Sequence, residues 1–289
     1  MQSLKTIFAS LIFVSAGLAA CAADSPRHSG KTLVVWVAPS NLNQQGGSAL
    51  TIQSGDRFDA VVLGERDRGK WMAGSDMFQR TEQDQSTRVA ETADPQTFVQ
   101  IAVVYDKGHI RIYRNGELYA DYPAENIDLL NIDNHIALFG LRHLGSGVGT
   151  PLAGMIDDAR IFARALTQDE IKSLKPNVAS SIEPLAWWDF EGKEAKDRAG
   201  RFTHNRISGN AKVEGGRLVL DGKSYLIAGR SANDVKLAAQ GGTPRAPQGP
   251  YAPETPAWPA NPPANWLTYH LAHPGPGAAL PGDPNCAFD

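Results

Sequence analysis

An all-β fold is predicted by three features of this 289-residue chain: short Val/Ile/Leu/Tyr runs of strand length, 28 Gly and 19 Pro between them, and an Asn-Gly turn joining two such runs. Apolar residues make up 42% of the chain, enough for a substantial core. The 28 basic residues nearly balance the 31 acidic ones and no basic block occurs. Nucleic acid is therefore excluded as a partner, because phosphate binding rests on clustered Lys and Arg.

Residues 1–23 read as an export signal, with Lys5 in a short leading region, an apolar run from Ile7 to Val14, and small residues around Cys21. The apolar run is too short to span a membrane. Leu18-Ala19-Ala20-Cys21 resembles a bacterial lipobox, in which Cys21 becomes the lipidated first residue; ordinary cleavage after Ala22 or Ala23 is the alternative. Either route predicts an exported bacterial protein that is periplasmic, outer-membrane-anchored or extracellular. A lipid at Cys21 would be its only membrane contact. Cys286 is then the sole remaining thiol, so no intrachain disulfide is expected.

Strands follow in order. "TLVVWVAP" (32–39) is a buried strand stopped by Pro, and "SALTIQS" (48–54) and "FDAVVLGE" (58–65) flank a Gly-Asp turn. "FVQIAVVYD" (98–106) turns at Lys107-Gly108 into "HIRIYRNGELYADY" (109–122), where Asn115-Gly116 fits a type I′ turn that needs positive φ at both centres. "HIALFGLR" (135–142) and "GMIDDARIFARAL" (154–166) are two further strands. Only "TQDEIKSL" (167–174) reads as helix, with Thr167 and Glu170 spaced as a capping box. The stretch 69–83 reads as a loop or short hairpin.

The segments "VQIAVVYDKGHIRIYRNGELY" and "LAGMIDDARIFARALTQDEIKSL" resemble the laminin-G-like, concanavalin A-type jelly roll, as its central hairpin and its closing strand with trailing helical turn. The resemblance covers about half the chain and implies a two-sheet β-sandwich. Members of that family place an opening strand and an Asp-Gly-type strand before the "TLVVWV" segment. Here the matching pieces, "PLAWWDFEG" (184–192), "KDRAGR" (196–201) and "GGRLVLDGKSYLIAG" (215–229), come afterwards. A truncated second copy is one reading. The preferred one is a single, circularly permuted sandwich over 31–230 whose opening strands lie in 184–229, because an unclosed half-sandwich would leave strand edges unpaired.

Residues 231–263 read as a Pro-rich linker, with Pro at every third position from Pro244 to Pro262. That period is the three residues per turn of polyproline II, a stiff rod reaching about 55–60 Å. Beyond it, Tyr269-His270-Leu271 and Asp283-Pro284-Asn285 resemble the entry strand of glycoside hydrolase family 32, the fructan-cleaving β-propellers of invertases and levanases. The resemblance makes 264–289 the start of an incomplete propeller and places Asp283 at the nucleophile position. Gly282 and Cys286 depart from the family's pattern, and a turn Asp before Pro is the alternative. A retaining glycosidase needs a second carboxyl group as acid about 5–5.5 Å away, so Asp283 alone is not expected to hydrolyse glycosidic bonds.

These features together predict an exported carbohydrate-binding module at the front of a fructan-type hydrolase, with a polysaccharide or oligosaccharide, including fructan, as partner. The alternative is a surface interaction or scaffolding domain with no glycan ligand. Trp71, Asp76 and Arg80, with Arg142 and His143 of the 141–147 turn, are the candidate carbohydrate-binding residues, since sugar sites pair a flat aromatic with polar donors and acceptors. Core and loop packing is the alternative for each. Of Trp187 and Trp188, one indole is expected in the core and one outside. Asp157-Asp158 would suit Ca²⁺ only within a larger oxygen cluster, so pairing with Arg160 or Arg164 is favoured. No cofactor and no metal site is predicted: the seven His lack ligand spacing.

Overall fold

The computed structural model describes residues 30–127, 135–145 and 149–239. The strands β1 (Gly30–Pro39), β2 (Gly47–Ser54), β3 (Arg57–Leu63) and β4 (Trp71–Ser75) come first, followed by a 3-10 turn at Asp76–Phe78. Next are β5 (Val99–Asp106), β6 (His109–Arg114), β7 (Glu117–Pro123), β8 (Ile136–Gly140), β9 (Ala153–Phe162) and helix α1 (Gln168–Ser173). The late elements are β10 (Ala186–Trp188), β11 (His204–Ser208), β12 (Lys212–Glu214), β13 (Arg217–Asp221), β14 (Tyr225–Gly229) and helix α2 (Ala232–Ala239).

Two antiparallel sheets form a β-sandwich. The first has the order β12-β13-β9-β1-β5-β6-β7, with β10 also paired to β9; the second is β11-β14-β8-β2-β3-β4. Alternation along each strand decides what meets what. Leu33, Val35 and Val37 of β1 share the central core with Ile101 and Val103 of β5, and with Val61, Leu63, Ala137 and Phe139 of the second sheet. The opposite face of β1 and β5, Val34, Trp36, Ala102 and Val104, is covered by Ile171 and Leu174 around α1. A strand packed on both faces reads as an unbroken apolar run, which is why "TLVVWV" shows no alternation.

The late strands belong to both sheets. Ala186–Trp188 pairs with Ile161–Ala159 of β9, Leu218 of β13 pairs with Ile156, and Leu226 of β14 pairs with Phe139 of β8. Their side chains Trp188, Phe190, Phe202, Leu218 and Leu226 fill the same core as β1 and β5.

Two segments differ from the sequence reading. Within 69–83, Trp71–Ser75 forms an edge strand in register with β3, Leu63 opposite Trp71. It carries Met72 and Gly74 on one face and Trp71 and Ala73 on the other, all buried, so it has no polar face to mark it as a strand. At 231–239, the start of the linker as read, α2 packs Val235 and Ala238 against Ile227 and Leu138. A capping signal precedes it: Ser231 Oγ accepts from Asp234 N at 3.1 Å, and Asp234 Oδ2 accepts from Ser231 N at 3.0 Å.

Candidate functional site

The residues singled out in sequence fall into two groups, neither of which is an open sugar surface. Trp71 is 1% exposed, sits in the central core and donates Nε1–H to Glu91 Oε2 at 2.7 Å. As a sugar platform it is corrected to a core residue, because β4 turns its first side chain inward. Arg80 is equally buried. Its Nε donates to Asp59 Oδ1 at 2.9 Å, its Nη2 to the Phe58 carbonyl at 2.9 Å, and it also pairs with Asp76. Lys31 Nζ lies 2.5 Å from Asp59 Oδ2. Burial works to raise the Asp59 carboxyl, but the charges of Lys31 and Arg80 outweigh it and hold it below the ordinary range. Asp76 and Arg80 are thus brought together, as part of an ionic cluster joining β1, β3 and the 3-10 turn. A ligand hydroxyl has no access to Arg80.

Arg142 and His143 follow β8. Arg142 pairs with Glu65, and its Nη2 lies 3.2 Å from His143 Nε2. The His143 ring stacks on Phe58 at 4.8 Å, so Phe58 separates this pair from Arg80, which its carbonyl binds. Asp158 takes Arg160 in a two-pronged pair at 2.9 and 2.8 Å, and Asn177 donates to Asp157 at 3.2 Å. Burial pushes the Asp157 carboxyl up. Among the described residues no three His, Cys, Asp or Glu gather as metal ligands. Cys21 and Asp283 lie outside the described residues.

The geometry draws attention instead to β10. Trp188 faces inward, fully buried, with its ring 5.0 Å from Phe139. Its neighbour Trp187 faces outward and is half-buried. Three contacts hold Trp187: its N donates to Asp197 Oδ1 at 2.8 Å, its Nε1 to Asp158 Oδ2 at 2.8 Å, and its carbonyl accepts from Arg198 N at 2.7 Å. The guanidinium groups of Arg160 and Arg198 each lie 4.8 Å from the Trp187 ring, and Arg160 is 5.4 Å from Trp36. These stacked cations and indoles make a rigid ladder at the sheet edge.

Beside it opens a cleft of about 710 Å³ lined by Trp187, Leu185, Glu183, Arg164, Arg198 and Arg201. Arg164 is engaged by Glu170 at 2.6 Å and Arg198 by Asp189. The Glu183 carboxylate and the Arg201 guanidinium are exposed and have no hydrogen-bond or ion-pair partner among the described residues. The arrangement offers a fixed indole, one free acceptor and one free donor. The sequence signal for it was present in the Trp-Trp pair and the "KDRAGR" turn, but only pairing of β10 with β9 puts them side by side.

Residues 16–172 match the family described as the concanavalin A-like lectin/glucanases superfamily. No curated protein matches the chain. Similar solved structures include a candidate carbohydrate-binding protein of Bacteroides ovatus, with 14% identity and a TM-score of 0.45 over 71% of this chain and 54% of that one. Domain 4 of AbnA, a GH43 extracellular arabinanase of Geobacillus stearothermophilus, was solved with arabinotriose; it has 18% identity and a TM-score of 0.36 over 50% of this chain and 65% of that one. The CBM40 of Ruminococcus gnavus IT-sialidase, bound to α2,3 sialyllactose, has 16% identity and a TM-score of 0.34 over 50% of this chain and 82% of that one. The chain therefore spans 54% and 65% of the first two of these structures.

Proposed function

Because the chain belongs to the concanavalin A-like lectin/glucanases superfamily, we propose that its sandwich is a carbohydrate-binding module whose site is the Trp187 cleft. The half-exposed, immobilised Trp187 beside Glu183 and Arg201 carries this reading. An apolar ring wall with a few fixed polar groups is the usual make-up of a small-ligand site, and a pre-ordered aromatic loses little entropy on binding. The solved relatives described with arabinotriose and sialyllactose are in keeping with it. The finer proposal is that an exported protein uses this module beside a fructan-cleaving hydrolase, reached through the Pro-rich segment. Support comes from the signal-like residues 1–23 and from the family 32-like stretch around Asp283.

Affinity electrophoresis of the full chain in gels containing levan, inulin or arabinan tests the reading. The wild type should be retarded by at least one of these polysaccharides. Trp187→Ala should weaken binding about tenfold or more, equivalent to roughly 1.4 kcal/mol. Arg201→Ala, which removes no contact of the fold, should weaken it without changing thermal stability. Absence of retardation in every gel would favour the surface interaction domain with no glycan ligand.

A further inference from the structure

A second cleft, of about 510 Å³, opens where the loop after β4 meets the end of β7, and it includes Gln79, Glu82, Gln83, Tyr122, Glu125 and Asn126. Its chemistry differs from that of the Trp187 cleft. No Lys, Arg or His lines it among the described residues. Glu82 is neutralised by Arg88. Gln83 spends its amide hydrogens on the Phe78 and Thr81 carbonyls at 3.0 and 2.9 Å, which leaves its amide oxygen as an acceptor. The side chains of Gln79, Glu125 and Asn126 are exposed and have no partner among the described residues.

The backbone around the cleft carries an independent mark. Met77 and Phe78 are consecutive non-glycine residues at φ 48° and 57°, and Asn126 stands at φ 54°. Asn tolerates that region, but Met and Phe pay roughly 1–2 kcal/mol each to occupy it. Such conformations persist where the surroundings enforce them, and they concentrate at binding sites. Here the Gln79 N–H to Asp76 carbonyl bond (3.0 Å), the Thr81 N–H to Phe78 carbonyl bond (3.2 Å) and the Gln83 amide hold the turn. The turn leaves Met77 85% exposed.

We propose that this cleft is a second glycan site, specific for an uncharged sugar unit. Adjacent ring hydroxyls each need a donor and an acceptor, which the Gln79 and Asn126 amides supply together, while Glu125 and the Gln83 oxygen accept. An anionic sugar would meet the free Glu125 carboxylate, while the nearby cations are already engaged: Arg57 donates to the Asn126 carbonyl at 3.0 Å, Arg66 to the Gln83 carbonyl at 3.1 Å, and Arg88 pairs with Glu82. β7 ends the first sheet at the edge away from β9 and β10, so this site and the Trp187 cleft share no residue and their variants can be read separately. The inference deepens the carbohydrate-binding reading and rests on it.

The test uses the full chain in gels of levan, inulin and arabinan, with polygalacturonate as the anionic and glycol chitosan as the cationic counterpart. The double variant Gln79→Ala/Asn126→Ala should lose about tenfold or more of its retardation in whichever uncharged gel retards the wild type, with an unchanged thermal midpoint. Glu125→Gln should retain most of the binding, because an amide replaces one acceptor with another. Wild-type retardation of the double variant in every uncharged gel, or retardation by a charged polymer alone, would overturn the second site. If Trp187→Ala is without effect while the double variant loses binding, the Trp187 reading fails and this one stands. If no gel retards the wild type, both fail.

Discussion

Glu91 shows how one carboxylate can secure a long loop. It lies buried between β4 and β6, accepting Trp71 Nε1 at 2.7 Å, Arg114 through two bonds at 2.9 and 2.7 Å, and the N–H groups of Thr92 and Ala93 at 2.9 Å each. Burial opposes its ionisation, yet the Arg114, Trp71 and backbone donors outweigh that and bring its pKa from 4.5 down to about 2. A lowered pKa means stability that is fully present above the unfolded value of 4.5 and lost as pH falls toward about 2. The shift corresponds to at most about 3 kcal/mol. Urea unfolding should show Glu91→Gln destabilised by about 2–3 kcal/mol at pH 7. At pH 3 the gap to the wild type should narrow; a gap independent of pH would refute the assignment. Asp59 gives a second expectation. Replacing it with Asn removes the buried negative charge that Lys31 and Arg80 share and should cost about 3–5 kcal/mol by the same measurement.

At the scale of elements, α1 is a six-residue helix whose Ile171, with Leu174 at its C-cap, covers Val34, Trp36, Ala102 and Val104 on the outer face of β1 and β5. So short a helix has little stability of its own and depends on its cap and its packing. The capping box is formed: Thr167 Oγ1 accepts from Glu170 N at 3.3 Å, and Glu170 Oε2 accepts from Thr167 N at 2.8 Å. Thr167→Ala should cost about 1 kcal/mol in chemical denaturation. The hairpin before it is coupled to this helix. Asn115 and Gly116 adopt φ 50° and 78°, and a Cβ on Gly116 would come within 2.5 Å of the Lys172 side chain of α1. Gly116→Ala should therefore exceed the Thr167→Ala penalty, combining backbone strain with displacement of Lys172. A smaller loss for Gly116→Ala would show that α1 moves aside freely.

For the molecule as a whole, the decisive feature is that residues 186–229 supply strands to both sheets. β13 and β10 occupy the free side of β9, and β14 and β11 extend the second sheet beyond β8. Removing 184–239 would expose the β8 and β9 edges and strip Trp188, Phe190, Phe202, Leu218 and Leu226 from the central core. Unpaired edges and a half-filled core leave too little buried apolar area to offset chain entropy. The shortened chain is expected to show no cooperative thermal transition and to bind hydrophobic dye. A sharp transition in the monomeric shortened chain would mean that the early strands close on themselves.

The local periodicities of this chain determined much of its fold. Short apolar runs marked most strands, Asn115-Gly116 marked the hairpin, and Thr167 with Glu170 marked the capped helix, because these signals act within a few residues of the backbone. Strand β4 and helix α2 were not legible. β4 is buried on both faces and so shows no alternation, and the apolar face of α2 is defined by Leu138, distant in sequence. The candidate sites depended on tertiary structure still more. Trp71 and Arg80 have the composition of a binding surface, yet β4 and the ion pair with Asp59 turn them inward; Trp187, one of two adjacent indoles, faces out because β10 pairs with β9 in one register and not its neighbour. Residue type states what a side chain can bind, whereas exposure is set by strand register, and register is decided between segments more than a hundred positions apart in the early strands, as between Val35 and Ala159.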